Sequence, residues 1–316
     1  MTNRARTILL ASALLGSTGL ATPSLSAPGS VVLRYALKPG TAYDQSASMA
    51  LELRVDPSSL PPAMSGLLQS MVGDMKQEVS LKGRIDVGKK AGDGSLPIQY
   101  KVVEARAVLN HAGQIKEMPG VAAAAGQPPS AGQVSADGRQ VTIESGADNA
   151  TLPHALHDQV AQALPTLPAE ALTPGKKFDV IVPMTLFGGM AHGAEKANAR
   201  WTYTLRSLAP DEALFDVQES LPENASMSVS SGPVVHLSGG GKGVATFSLK
   251  EGIFTSMTLD TNIQMTVVVS IPAGLAGGGA TGGAAGGGDA GSPSSIEIKS
   301  SIQGPISMSL APAAGR

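Results

Sequence analysis

Apolar and polar residues alternate with a period of two over long stretches of this chain. Tyr43, Ala47, Met49, Leu51, Leu53 and Val55 fall on one face, and Asp44, Ser46, Ser48, Glu52 and Arg54 on the other. Val79, Leu81, Ile85 and Val87 alternate with Glu78, Ser80, Lys82, Arg84 and Asp86, and Ala199, Trp201, Tyr203 and Leu205 with Arg200, Thr202, Thr204 and Arg206. The longest run goes from Ile253 through Met257, Leu259, Ile263 and Met265 to Val269, against Ser256, Thr258, Asp260, Asn262 and Gln264. Ile296, Ile298, Ile302, Ile306, Met308 and Leu310 keep one phase across Gly304-Pro305. Strands with one buried and one wet face belong to antiparallel sheet; parallel strands covered on both sides read as continuous apolar runs. The expected fold is mainly β: antiparallel sheets, half-barrel or sandwich-like, with one or two short helices.

Two stretches carry helical spacing instead. Pro61 to Met75 places Met64, Leu67, Leu68 and Met71 three and four residues apart, and Asn149 to Leu164 aligns Leu156, Val160 and Leu164 before Pro165. Pro119 to Gly132 and Gly274 to Ser295 are low-complexity, and the second reads as a long loop joining two strands of a hairpin. Gly239-Gly240-Gly241-Lys242-Gly243 lacks the Gly-Lys-Ser/Thr of a phosphate loop and reads as a turn or bulge.

The N-terminus has the three-part grammar of a secretory signal peptide over residues 1–26. Arg4 and Arg6 precede the apolar run Ile8 to Leu15, and Ser24-Leu25-Ser26 offers a small-residue cleavage site before Ala27-Pro28. The expected address is therefore the periplasm or the medium. The chain has no cysteine, which excludes disulfides, thiolate metal sites and a cysteine-borne lipid anchor. Beyond the signal no run approaches membrane-spanning length. A net charge of −2 and 3% aromatics provide no basic, aromatic-rich surface for nucleic acid. The same scarcity of aromatics argues against the girdles of an outer-membrane barrel.

Leu37-Lys38-Pro39-Gly40-Thr41-Ala42-Tyr43-Asp44 and Leu172-Thr173-Pro174-Gly175-Lys176-Lys177-Phe178-Asp179 both lead into strands. Later, Asp137-Gly138 and Glu251-Gly252 each open a strand, in the same order. The expected organisation is a first β repeat over 27–148, a helical connector over 149–167, and a second β repeat over 168–316 containing the Gly-rich loop 274–295. These motifs, with Lys242-Gly243-Val244-Ala245-Thr246-Phe247-Ser248-Leu249-Lys250-Glu251-Gly252 as the best match, resemble a group of uncharacterised exported bacterial two-repeat β-sheet proteins. The resemblance covers most of the mature chain and implies a fold type and no activity. A more distant architectural likeness is to the half-barrels of periplasmic lipoprotein carriers, where a curved sheet holds acyl chains under a helix.

No catalytic signature stands out. There is no Gly-x-Ser-x-Gly elbow, and Glu104, Glu144, Asp216 and Glu219 sit in strand patterns whose ordinary explanation is a solvated face. His154 and His157, with Asp158, have helical metal-ligand spacing but no evident third ligand. No cofactor is implied. Methionines line the expected buried faces, which suits core filling in a protein short of aromatics. The functional alternative is a groove for an apolar ligand, lined by Met64, Leu67, Leu68 and Met71 on a helical lid. The sequence thus points to an exported, non-catalytic envelope protein. Its partner is a lipid or other apolar ligand on a concave sheet face or, alternatively, an envelope protein docked by a structural module.

Overall fold

The computed structural model describes residues 29–59, 75–111, 113–117, 121–143, 163–184, 197–223, 225–228, 234–271 and 294–314. Its strands are β1 (Ala42–Val55), β2 (Met75–Val87), β3 (Leu96–His111), β4 (Gln114–Glu117), β5 (Ser130–Val134), β6 (Val141–Ile143), β7 (Lys177–Met184), β8 (Ala197–Leu208), β9 (Glu212–Ser220), β10 (Ala225–Ser228), β11 (Val234–Ser248), β12 (Ile253–Ile271) and β13 (Ser294–Pro312). All thirteen join one sheet in the order β6-β5-β3-β2-β1-β13-β12-β11-β9-β8-β7, with β4 on β3 and β10 on β11. Every pairing is antiparallel. The mainly-β antiparallel expectation is met, as a single open sheet.

Alternation and register together define two faces. On the inner face one row crosses nine strands: Ala107, Val79, Met49, Ile306, Leu259, Gly243, Val217, Tyr203 and Phe178. The neighbouring row holds Ala105, Leu81, Ala47, Met308, Met257, Ala245, Phe215 and Leu205. Most of these side chains are buried, and they form the main core with an aromatic cluster at one end. There Phe178 stacks on Tyr203 at 4.9 Å, and Phe215, Phe254 and Phe247 meet edge-on or tilted. Most of the chain's few aromatics are thus concentrated at one end of the core, and Met257 and Met308 lie in the same cluster.

The extended segment 31–37 also enters this core. Leu33, Tyr35 and Leu37 are buried. The Tyr35 N–H donates to the Gly138 carbonyl (2.6 Å), the Ala36 N–H to the Gly252 carbonyl (3.2 Å), and Val31 bridges Leu172. Both acceptor glycines lie at positive φ in the acidic-Gly turns (Gly138 +68°, Gly252 +62°). The two Pro-Gly turns also share one bonding scheme. Gly40 donates to Val87 and Val87 to Thr41; Gly175 donates to Leu205 and Leu205 to Lys176.

Three expectations change. Met75 opens β2 and is not part of a helix, and the remainder of both expected helices falls outside the described residues apart from Ala163 and Leu164. Ser294 and Ser295 belong to β13, so the Gly-rich connection is shorter at its C-terminal end than 274–295. Gly239 to Gly243 form no turn, because they lie in the middle of β11. A Cβ at Gly239, Gly240 or Gly243 would stand 2.4, 2.1 or 1.9 Å from a carbonyl oxygen of an adjacent strand. The run is glycine because the backbones approach too closely for a side chain.

Candidate functional site on the inner face

Past the main core the inner face continues along the long hairpin β12–β13. The next row after Leu259 and Ile306 is polar: Gln77, Thr261, Glu219 and Trp201 share it with Leu51, Gly304 and Gly241. Beyond it lies a second apolar cluster of Leu53, Ala225, Leu237, Ile263 and Ile302, with Leu51, Met75, Val235, Met265 and Leu221 packed against it, Leu221 also touching the main core. Val267 pairs with Ile298 and Val269 with Ile296 further still, and all four are half-buried. The sheet therefore presents a main core, a polar belt, and a second apolar cluster, with Leu221 packed against both clusters.

Glu219 dominates the belt. It is 5% exposed and is the only charged side chain buried among the described residues. Trp201 Nε1–H donates to its Oε1 (3.2 Å) and Thr261 Oγ1–H to its Oε2 (3.0 Å). Both donors are neutral. On the surrounding strands Arg200, Arg206 and Lys242 stand in the opposite, outer phase. Burial pushes the Glu219 carboxyl above the usual range, and the two hydrogen bonds oppose that shift. The sequence-level reading of Glu219 as a solvated strand residue is therefore overturned. The signal was present: Ala213, Phe215, Val217 and Glu219 share the buried phase of β9.

A carboxyl whose pKa rises on folding favours the fold in its neutral form. Its contribution is fully present below the unfolded value near 4.5 and is lost as pH rises through the folded value. The stability of the native protein relative to a Glu219→Gln variant is thus expected to fall as pH is raised from below 4.5 to neutrality. Urea melts of both proteins across that range would show parallel profiles if Glu219 titrated as a solvated acid.

The outer face has a different character. Ser80, Ser48, Ser307 and Thr258 form one row across β2, β1, β13 and β12, and Lys82, Ser46, Ser309 and Ser256 form the next. Ser48 and Ser307 share a 2.7 Å hydrogen bond, and Lys82 pairs with Glu104. These short side chains line an open trough of about 400 Å³. The Lys82–Glu104 pair is exposed at both ends and contributes at most about 1 kcal/mol.

Of the residues proposed from sequence, Met64, Leu67, Leu68 and Met71 lie outside the described residues, as do His154 and His157. Of the methionines described, Met257 and Met308 are buried in the main core, while Met75 and Met265 border the second cluster. Among the described residues no group of three His, Asp or Glu side chains comes together as a metal site, and no helix is long and apolar enough to cross a membrane.

No protein-family model matches the chain, and no curated protein matches it. Among solved structures, one of lipovitellin, described as showing lipid–protein interactions, overlaps 89% of this chain and 26% of its own, with a TM-score of 0.41 and 11% identity. An enduracididine biosynthesis enzyme complexed with a pyruvate–imidazole carboxaldehyde condensation product overlaps 91% of this chain and 97% of its own, with a TM-score of 0.15 and 12% identity. The chain spans about a quarter of the lipovitellin chain. Overlaps this loose carry nothing about ligand or chemistry.

Proposed function

We propose that this is an exported, non-catalytic protein of the cell envelope that holds a lipid or other apolar ligand along the inner face of its sheet. The observation that carries the reading is the second apolar cluster around Leu53, Leu237, Ile263 and Ile302. It meets the main core at Leu221, which packs against both, and continues into the half-buried Val267, Val269, Ile296 and Ile298. A sheet face that served only to close a core would end in polar residues where that core ends. Export rests on the N-terminal pattern of residues 1–26, and periplasm or medium is the address that pattern implies. The two-repeat organisation is part of the same reading, supported by the shared bonding of the Pro-Gly turns.

The second reading, a protein-interaction module, is favoured by the Ser-lined outer trough and by Ile181, exposed on the edge strand β7. Native mass spectrometry of the mature protein, purified gently from its own envelope and followed by solvent extraction, separates the two. A stoichiometric lipid is the expected result. A clean apo-mass would overturn the ligand reading and leave the interaction module.

A further inference from the structure

We propose that two copies of the protein join edge to edge through β7, antiparallel about Val180, so that the sheet runs unbroken from one copy into the other. The proposal stands apart from the apolar-ligand reading and needs no ligand. Among the described strands β7 ends the sheet, with β8 on one side and no strand on the other. The Pro-Gly turns ahead of β1 and β7 share one bonding scheme, and aligning them sets Tyr43 with Phe178, Asp44 with Asp179, Gln45 with Val180 and Ser46 with Ile181. In antiparallel sheet, successive residues bond to opposite neighbours. On β1 the turn commits Thr41 to Val87 of β2, which leaves Ala42, Asp44 and Ser46 to β13, and the Ala313 N–H donates to the Ala42 carbonyl (2.9 Å). On β7 the turn commits Lys176 to Leu205 of β8. Phe178 and Val180 therefore bond to β8, and Lys177, Asp179 and Ile181 aim their N–H and C=O groups at the open edge.

Exposure marks the same gap. Between β2 and β13, Tyr43 and Gln45 are each 1% exposed, whereas Phe178 and Val180 are only half-buried and Ile181 is 58% exposed. A row of unpaired backbone groups carrying an exposed apolar side chain is a template for another strand. A second β7 fits that template. Centred on Val180, antiparallel pairing sets Val180 against Val180 and Phe178 against Val182 on the inner face, so apolar meets apolar in each of these pairs. Asp179 and Ile181 then exchange backbone bonds across both halves of the pair, and the Lys177 N–H reaches the Pro183 carbonyl, for roughly six bonds in all. The neighbouring registers are worse. Centring on Asp179 opposes two carboxylates, and centring on Ile181 sets Pro183, which has no N–H, against Asp179 and leaves roughly four bonds. The Asp179 carboxylate is already held on its own protomer, where Thr202 Oγ1–H donates to it (2.7 Å) and Arg200 lies 3.8 Å away, so it needs no cation from the other copy.

The chain has no cysteine, so a single introduced thiol reports on one position. Two opposed residues at position 180 form a pair of the non-hydrogen-bonded kind, with Cα atoms about 4.5 Å apart, within the range a disulfide spans. Val180→Cys is expected to give a disulfide-linked dimer on mild oxidation at least about tenfold faster than Val103→Cys, whose site on β3 is 54% exposed and several strands away from β7. Sedimentation equilibrium of the native protein is expected to show a monomer–dimer equilibrium. Ile181→Pro, which removes one edge N–H and no bond to β8, is expected to weaken that dimer at least about tenfold. A native protein that stays monomeric up to about 100 μM overturns the proposal, as does a dimer that persists undiminished in Ile181→Pro or cross-links equally fast at both cysteines. Native sedimentation and the comparison of the two cysteines decide the matter even if the proline variant does not fold. Each outcome leaves the ligand reading as it was.

Discussion

A valine at position 304 is expected to prevent the protein from reaching its folded state, or to destabilise it by more than about 4 kcal/mol. Gly304 sits near the middle of β13, the strand that joins β1 to β12 and therefore the two wings of the sheet. A Cβ there would stand 1.9 Å from the Ala50 carbonyl oxygen and 3.2 Å from the Leu51 Cα, with φ at +150°. The obstacle is the backbone of β1, so no rotamer relieves it. Pairing between β1 and β13 is already interrupted opposite Gly304-Pro305 and resumes in the same register at Glu52 and Gln303. Widening that gap would pull β1 away from Ile302, Ile306 and Met308, which the adjoining inner rows share. Gly92→Ala is the matched control: nothing lies within 4 Å of its added Cβ, and a change of no more than about 0.5 kcal/mol is expected. Equilibrium urea denaturation followed by far-UV circular dichroism reads both variants. A Gly304→Val protein with the native midpoint would mean that β1 and β13 are further apart than the structure places them.

The faces of the strands were legible because alternation records exposure directly. Tyr43 to Val55, Val79 to Val87 and Ile253 to Val269 each keep their expected phase in the sheet, and so does Ile296 to Leu310 across the glycine and proline. The order of the strands was not legible. The contact that makes one sheet of two wings pairs Tyr43 with Pro312 and Val55 with Ser300, residues with nothing local in common. Composition misled at Gly239 to Gly243, where a glycine run read as a turn. Close approach of neighbouring backbones selects glycine just as a turn does, and only the three-dimensional neighbours distinguish the two.

The candidate site was hidden by a rule about residue types. Acids on strands usually face water, yet Glu219 stands in the buried phase of β9 with Ala213, Phe215 and Val217. Gln45 and Thr261 also stand in buried phases of their strands. Among the described residues the Gln45 amide has no hydrogen-bond partner, and neither has the hydroxyl of Tyr100, whose ring lies over Gly83, the strand partner of Gln45. A polar residue in an apolar phase is a local contradiction, and such contradictions mark the places where a sequence is answering to something other than stability. Here the contradiction at Glu219 coincides with the border between two apolar clusters, which no single-strand pattern contains.

Trp201→Ala is expected to cost about 3–5 kcal/mol, the range for truncating a large buried aromatic. The side chain is 2% exposed, between Val180 on β7 and Glu219 on β9. Truncation opens a cavity and at the same time removes the N–H that holds Glu219 Oε1, so two penalties are combined in one number. Trp201→Phe separates them, since it keeps most of the ring volume and loses the donor. Its expected cost is about 1–3 kcal/mol, the range for leaving a buried acceptor without its partner. That cost should be smaller below the ordinary carboxyl range, where a neutral Glu219 needs the donor less, and should grow as pH rises and the carboxylate forms. It should also shrink in the Glu219→Gln background, where no charge forms at any pH. A Trp201→Phe cost that stays constant with pH and is unchanged in that background would assign the tryptophan to packing alone, and would leave Thr261 as the donor that holds Glu219.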